Sequence, residues 1–581
     1  MSIILGLVLA MLQIPAGAGI RPGISGTIVR QDTGEPLGRA TVTLTSEQDS
    51  RPLQSVSSGP DGKYSFDDVP AGRYRIAATR NGYVRAEYGD REGNGCGAAV
   101  TLAQGQRLEN VRVGMIAASA IAGRLLDQDG EPVVSVGVQA LRYTYVNGKR
   151  TLQAVQTVTT NDLGEYRLFG LVPGRYYVGA AMENTGGQGA ARVFLSAVAP
   201  PPPLPLPLPG QPVTGGVSVV APIRPPDSSV IERFVPAFYP GVPDPQSASA
   251  VELRPGESFL RADMRLNVVR TRKVRGTLAG VTAGGRQRFS VGLVPRSDLS
   301  IGNAAAHNAS TSPDGSFELT AVLPGSYFLT ATGNDASGRV FGRVAVDVVD
   351  RDVEGVAVAL LKGTTLTGRI TSDDPAAVQR VQTVTLRPLN EGVAGFPNLN
   401  LSVQARGGTF QMDGIPPGEY LAGLTFNGPG GMYMAAMRMD SQDVRNGLRL
   451  DGQPTAQLEM EVGTRGAVVD GTVVSDQQRP VAGATVVLVP DTFLRQRSTL
   501  YKTVTADDDG RFNLNTIAPG DYKVFAWEDV ERGAWEDPNF LRNIEARGRS
   551  VALRDGASES VQITAIPSNG AIYGQCDGRI R

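Results

Sequence analysis

One histidine, two cysteines and two tryptophans are all that 581 residues provide of the side chains on which metal, thiol and ring-stacking chemistry most often rest. The single His307 cannot supply the imidazoles of a zinc centre, so a metallocarboxypeptidase site is excluded. As the base of a nucleophilic triad it has no companion Gly-x-Ser-x-Gly elbow, and in the polar stretch 303–310 it reads as a solvated loop residue. Charge of one sign is equally missing: the net charge is −1 with acids and bases interspersed, which leaves no electrostatic footprint for nucleic acid or a lipid surface. Lysine is confined to Lys63, Lys149, Lys273, Lys362, Lys502 and Lys523. Beyond the first residues no stretch approaches the roughly 20 apolar residues of a membrane-spanning helix, and residues 568–581 form no hydrophobic anchor.

Residues 1–18 do carry an apolar run, positions 3–12, followed by Pro15-Ala16-Gly17-Ala18, the small-residue pattern of a cleaved signal peptide. The expectation is export, to a secreted, periplasmic or cell-surface location.

What the chain has in quantity is Gly, at 71, and Pro, at 39, a composition of short strands and many turns. One block recurs five times. Its first glycine is Gly62, Gly164, Gly315, Gly408 or Gly510, followed two residues on by Tyr64, Tyr166, Phe317, Phe410 or Phe512. Four residues on stands an apolar side chain, and this alternation marks a half-buried strand. Ten residues on comes Gly72, Gly174, Gly325, Gly418 or Gly520, in four repeats directly after Pro, where a positive φ is expected for a tight turn. Two further on is Tyr74, Tyr176, Tyr327, Tyr420 or Tyr522, placed to bury its ring and bond its hydroxyl to a nearby carbonyl, as in a tyrosine corner. Each block is preceded by an opening strand with a central glycine: Gly26, Gly123, Gly276, Gly368 or Gly471. Residues 34–44 and 480–488 continue with a second strand of alternating β-branched side chains.

These features predict an all-β chain, a tandem array of about five immunoglobulin-like or prealbumin-like antiparallel β-sandwich modules of seven strands. The expected boundaries are 19–115, 116–267 with a Pro-rich insertion near 181–230, 268–362, 363–463 and 464–567, then a tail at 568–581. Seven prolines in residues 200–209 make that insertion a stiff polyproline II spacer.

The opening glycine strand, the Pro-x-x-Gly-Ala-x-Val-x-Leu strand, and Asp-Gly-x-Tyr/Phe-x-Phe followed by Pro-Gly-x-Tyr together resemble the carboxypeptidase regulatory-like domain, a prealbumin-like sandwich similar to the collagen-adhesin B-type module. The first and last repeats fit best, whereas the fourth has Gly407-Gly408 in place of Asp-Gly. The resemblance implies a non-catalytic binding module or scaffold, with carbohydrate as the leading ligand class and a cell-envelope protein as the other partner. A purely structural or adhesive scaffold, and an accessory part of an exported hydrolase or outer-membrane receptor system, are the alternatives it leaves. With one histidine, and consecutive acids at 507–509 in place of a calcium loop's alternating ones, no cofactor and no metal site is expected.

Four local features bear on chemistry. Asp507-Asp508-Asp509-Gly510 has consecutive acids, not the alternating ligands of a calcium loop, and reads as a turn. Lys273 is the one lysine near an opening strand, and its closing strand, 356–360, offers no Asn or Asp for an isopeptide cross-link. Cys96 and Cys576 lie at opposite ends of the array; in a straight string they are too far apart to bridge and stay free or intermolecular, unless the array curls round. The candidate ligand surface is Trp527, Glu528, Asp529, Trp535, Glu536 and Asp537, aromatic faces flanked by carboxylates, as a sugar ring requires. Against it stands the plainer reading, in which one Trp caps the core and the acids are solvated.

Overall fold

A computed structural model describes residues 22–567 apart from 48–50, 91–96, 147, 182–191, 194–230, 282–286, 297–306, 336–337, 390–395, 397–398, 400, 429–430 and 454. The expected signal peptide, both cysteines and the prolines of 200–209 lie outside the described residues.

The first module sets the pattern. Its strands are β1 (Gly23–Arg30), β2 (Thr41–Ser46), β3 (Pro52–Ser57), β4 (Lys63–Asp67), β5 (Gly72–Thr79), β6 (Ala86–Glu87), β7 (Val100–Leu102) and β8 (Arg107–Met115). One sheet runs β4-β1-β8; the other runs β3-β2-β5, with β6 and β7 both pairing to β5. Period-two alternation turns Ile24, Ile28, Val42, Leu44, Phe66 and Ile76 inward, where they are fully buried between the sheets. Four further cores of the same kind follow, around Leu168, Leu329, Tyr420 and Leu488.

The sheets are not purely antiparallel as expected. In every module the opening strand is antiparallel to the block strand but parallel to the closing strand, as β1 is to β4 and β8. The chain passes to the second sheet and back before laying down its last strand, and so re-enters the first sheet in the direction of β1. In the third module the strand Gly338–Val348 pairs on both sides, to Gly325–Asp335 and Val353–Lys362, and joins the two sheets into one of seven strands. In the fourth, the segment before the second strand is a helical turn, Pro375–Gln379, whose Asp374 N-cap accepts from the Ala376 N–H at 2.9 Å.

The opening glycine is explained by its two neighbours. Gly26, Gly123, Gly276, Gly368 and Gly471 lie opposite Tyr64, Tyr166, Phe317, Phe410 and Phe512, the aromatic residues of the block. A Cβ there would collide with a carbonyl of the parallel closing strand in the first, third and fifth modules, with the Ala262 carbonyl between the two closing segments in the second, and with the Phe410 ring in the fourth. The missing side chain lets two backbones approach, and the aromatic ring covers the gap. Where the aromatic is Tyr its hydroxyl is used too: Tyr64 donates to Val111 O at 3.0 Å, and Tyr166 to Ala262 O.

The first block glycine takes a left-handed φ in all five repeats, between +69° and +81°, and its carbonyl accepts from the opening strand, as Gly62 O does from Ile28 N at 2.8 Å. The second behaves differently from expectation. Only Gly174 and Gly520 have positive φ, at +141° and +155°. At Gly72 and Gly325 a Cβ would instead press on the ring of the Tyr two residues on, at 3.2 Å, so the requirement there is space. The left-handed residue of this turn stands four positions earlier, at Asp68, Gly170, Ala321, Gly414 or Thr516, where the strand bulges. The Tyr hydroxyl then donates to the carbonyl four residues before it: Pro70, Val172, Leu323, Pro416 and Ala518, at 2.6 to 2.9 Å.

Candidate functional site

The tryptophan segment grows out of the strand Gly520–Trp527. Tyr522, Val524 and Ala526 point into the sandwich, so Phe525 and Trp527 emerge on the sheet's outer face beside Val487 and Val489. Residues 528–548 fold back over that face as two short 3-10 turns, Ala534–Glu536 and Glu545–Arg547, around the helical turn Pro538–Arg542. The rings form a second, smaller core: Trp527 stacks on Phe525 at 5.4 Å and lies 6.4 Å from Trp535 and 6.3 Å from Phe540. Trp527 is 2% exposed and Trp535 6%. This corrects the expected aromatic platform: the apolar outer face of the sheet needs a cover, and the rings supply it, leaving no open face for a sugar to stack on.

The acids take separate positions. Glu528 is exposed and Asp529 half-buried. Asp537 is a helix N-cap, accepting from the Asn539 N–H at 2.8 Å. Glu536 is half-buried, and burial pushes its carboxyl above the ordinary range while Arg387 of the fourth module pulls the other way.

The residue that sequence reasoning missed is Glu531. It is 6% exposed, and among the described residues its Oε1 has no hydrogen-bond partner. Burial pushes its carboxyl up to about 7, against the opposing pull of Arg150 and Arg142. Both arginines belong to the second module, whose hairpin Gly137–Val146 and Lys149–Thr159 reaches the 528–548 insertion. The Tyr145 ring is 6.5 Å from Phe540, a Cβ on Gly533 would lie 3.1 Å from Tyr145, and one on Gly148 would lie 2.7 Å from the Glu536 carbonyl. Arg142, 7% exposed, packs over the Tyr176 ring. Ser119–Gly574 make up one compact unit, and among its described residues the second and fifth modules meet.

Consecutive modules are joined by a repeated device. After its fifth strand a module sends out a segment that pairs with the chain leading into the next: Ile231–Phe234 with Val268–Arg270, Gly338–Val348 with Val353–Lys362, and Tyr433–Met439 with Thr455–Gly463. The N–H five residues before the next opening glycine bonds that segment or its flank: Thr271 N to Ile231 O, Gly363 N to Arg339 O and Gly466 N to Gly431 O, at 2.8 to 2.9 Å. The same segment touches the left-handed bulge of the next module. Arg233 Nη1 donates to Ala321 O at 3.4 Å, Arg339 packs on Gly414, and the Gly431 N–H donates to Thr516 Oγ1 at 2.9 Å. Within residues 1–118, the Ala118 N–H bonds Gly82 O at 2.9 Å in the same way.

The remaining candidates are structural. Asp507 Oδ1 accepts from the N–H groups of Asp509 and Arg511 at 3.1 and 2.7 Å, an acid closing its own turn. Lys273 Nζ is 3.9 Å from Glu318 Oε1. His307 begins a strand paired to Leu293, not a loop. Among the described residues no group of three His, Cys, Asp or Glu side chains is arranged to hold a metal ion, and no helix is long and apolar enough to cross a membrane.

Two modules have a recognised family. Residues 23–115 and 468–564 match the carboxypeptidase regulatory-like domain. The matched segments are thus the first and the last modules, the two whose second strands, residues 34–44 and 480–488, are nearly alike. A stretch of 47 residues, 8% of this chain, is 49% identical to Colossin-A of Dictyostelium discoideum and covers 0% of that protein to the nearest per cent. Among solved structures, the chain is similar to a streptococcal ancillary pilin (12% identity, 51% of this chain and 99% of that one, TM-score 0.17). It is also similar to the minor pilin GBS52 of Streptococcus agalactiae (12%, 43% and 96%, 0.20) and to the major pilin subunit BcpA of Bacillus cereus (8%, 76% and 99%, 0.14). The β-sandwich assignment of each module rests on the strand pairing above.

Proposed function

We propose that this chain is a non-catalytic scaffold of the cell envelope, which holds its modules at fixed spacing and presents them to an envelope protein. The observation that carries the reading is the repeated joint. In residues 119–574 each linker is paired into the preceding module and pressed on the bulge of the next, which removes the hinge that a flexible linker would provide. The apolar run and small-residue pattern of residues 1–18 support export. Burial of Trp527 and Trp535 takes away the surface on which carbohydrate recognition was expected to rest.

The test is a distance measurement between spin labels on Val349→Cys and Ser558→Cys, in the third and fifth modules, with Cys96 and Cys576 changed to Ser. A single narrow distance is expected. A broad distribution would describe a flexible string and sink the scaffold reading, and saturable retention of the same protein on an insoluble polysaccharide would restore the carbohydrate one.

A further inference from the structure

The contact between the second and fifth modules contains a feature that a passive interface would not keep. Glu531 sits in it almost fully buried, with one carboxylate oxygen unpartnered among the described residues. A buried carboxylate without its full set of hydrogen bonds is costly when ionised and cheap when protonated. From the hairpin, Arg150 and Arg142 pull it toward the charged form, against the effect of burial. Tyr145 stands close enough to feel both Glu531 and Asp537. The hairpin tip is seated by shape, with Gly148 against the Glu536 carbonyl and Tyr145 against Gly533 and Phe540.

We propose that the contact between the 137–159 hairpin and the 528–548 insertion is a proton-operated clasp, closed most firmly when Glu531 carries its proton and loosened when it ionises. The sign follows from linkage. With the clasp open, Glu531 is hydrated and titrates near 4.3; with the clasp closed, burial holds its carboxyl up to about 7. The closed state therefore binds the proton more tightly. Below the hydrated value both states are protonated and the clasp keeps its full stability. As pH rises toward 7 that stability is lost, and above 7 no further change follows. The closing equilibrium should fall by roughly 500-fold across this window, since each unit of pH between the two values is a factor of 10. An exported protein that passes from an acidic to a neutral setting would meet this transition.

Trp527 and Trp535 are the only tryptophans in the chain; Trp527 lies beneath the insertion and Trp535 within it, so their emission reports the clasp without a label. Acrylamide quenching of the full chain is measured from pH 4.5 to 8.5 in the wild type, in Glu531→Gln, and in Gly148→Arg as a steric wedge. The wild type should become more quenchable with rising pH and level off near 7. Glu531→Gln should stay protected throughout, and Gly148→Arg should be quenchable throughout. A wild-type signal that is flat with pH, a pH response surviving in Glu531→Gln, or a wedge variant as protected as the wild type at pH 4.5 would each overturn the proposal. If Glu531→Gln fails to fold, amide exchange of the wild type decides. Residues 137–159 and 528–548 must lose protection together as pH rises, while the strands around Tyr420 keep theirs; equal behaviour of all these segments refutes the clasp.

Discussion

Substituting Gly471 by Ala places one methyl group at the closest backbone approach in the last module. Gly471 lies opposite Phe512 on one side and Val561 on the other, and its φ is not left-handed, so Ala costs nothing in backbone conformation. The cost is purely steric. The new Cβ falls on the Val561 carbonyl and 3.0 Å from the Phe512 ring, so the closing strand must retreat by roughly 1.5 Å to restore a normal contact. Overpacking of this kind costs about 1–3 kcal/mol. The parallel ladder, which runs from Val468 opposite Ser558 to Val474 opposite Thr564, would lose two or three hydrogen bonds near the wedge at about 1 kcal/mol each. A total of about 3–6 kcal/mol is a large part of the roughly 5–15 kcal/mol that stabilises a domain. It corresponds to a fall in melting temperature on the order of 20 °C for a module of this size. Calorimetry of the full chain should show one transition move down, and amide exchange should place the loss in Ala467–Val474 and Ser558–Thr564. The control is Gly556→Ala, at φ +68° with its nearest neighbour 3.7 Å away, where only the backbone cost of about 1–2 kcal/mol applies. A Gly471→Ala protein that melts within about 4 °C of the wild type, with both strands still protected, would refute the reasoning.

Tyr420→Phe removes the hydroxyl that donates to Pro416 O at 2.6 Å in a buried position, and should cost the fourth module about 1–2 kcal/mol in denaturant titration without changing its strands. Thr516→Gly relieves a left-handed β-branched residue but deletes the acceptor of the Gly431 N–H; exchange at Gly431 should quicken while the last module's core keeps its protection. Alkaline titration followed by phenolate absorbance should leave Tyr64, Tyr166, Tyr420, Tyr501 and Tyr522 un-ionised past pH 10, because burial pushes their hydroxyls up. Their folded values lie above the unfolded one, so stability is full below about pH 10 and is lost as pH climbs beyond it, with late ionisation and unfolding coinciding.

The five repeats were plain in the sequence because their signals are local. An Asp-Gly pair sets a turn, alternation sets a buried face, and a Tyr two residues past a glycine reaches a carbonyl four residues back; each depends on side chains within about one strand of each other. The left-handed bulge was not visible, since Asp68, Gly170, Ala321, Gly414 and Thr516 share no chemistry. There the strain is imposed by the register of two strands, not invited by the residue. Trp527 and Trp535 looked like a binding surface because sequence shows that a ring is flanked by acids but not that the insertion folds back over the sheet.

Residue type alone therefore determined the module, its turns, its tyrosine corner and the number of copies, all of which rest on dihedral preference and period-two burial. Only the tertiary structure decided why the opening strand needs a glycine, how one module grips the next, and that the second module reaches the fifth. Those features are made by backbone carbonyls and amides, which every residue carries alike, and by one buried carboxylate whose surroundings come from hundreds of residues away.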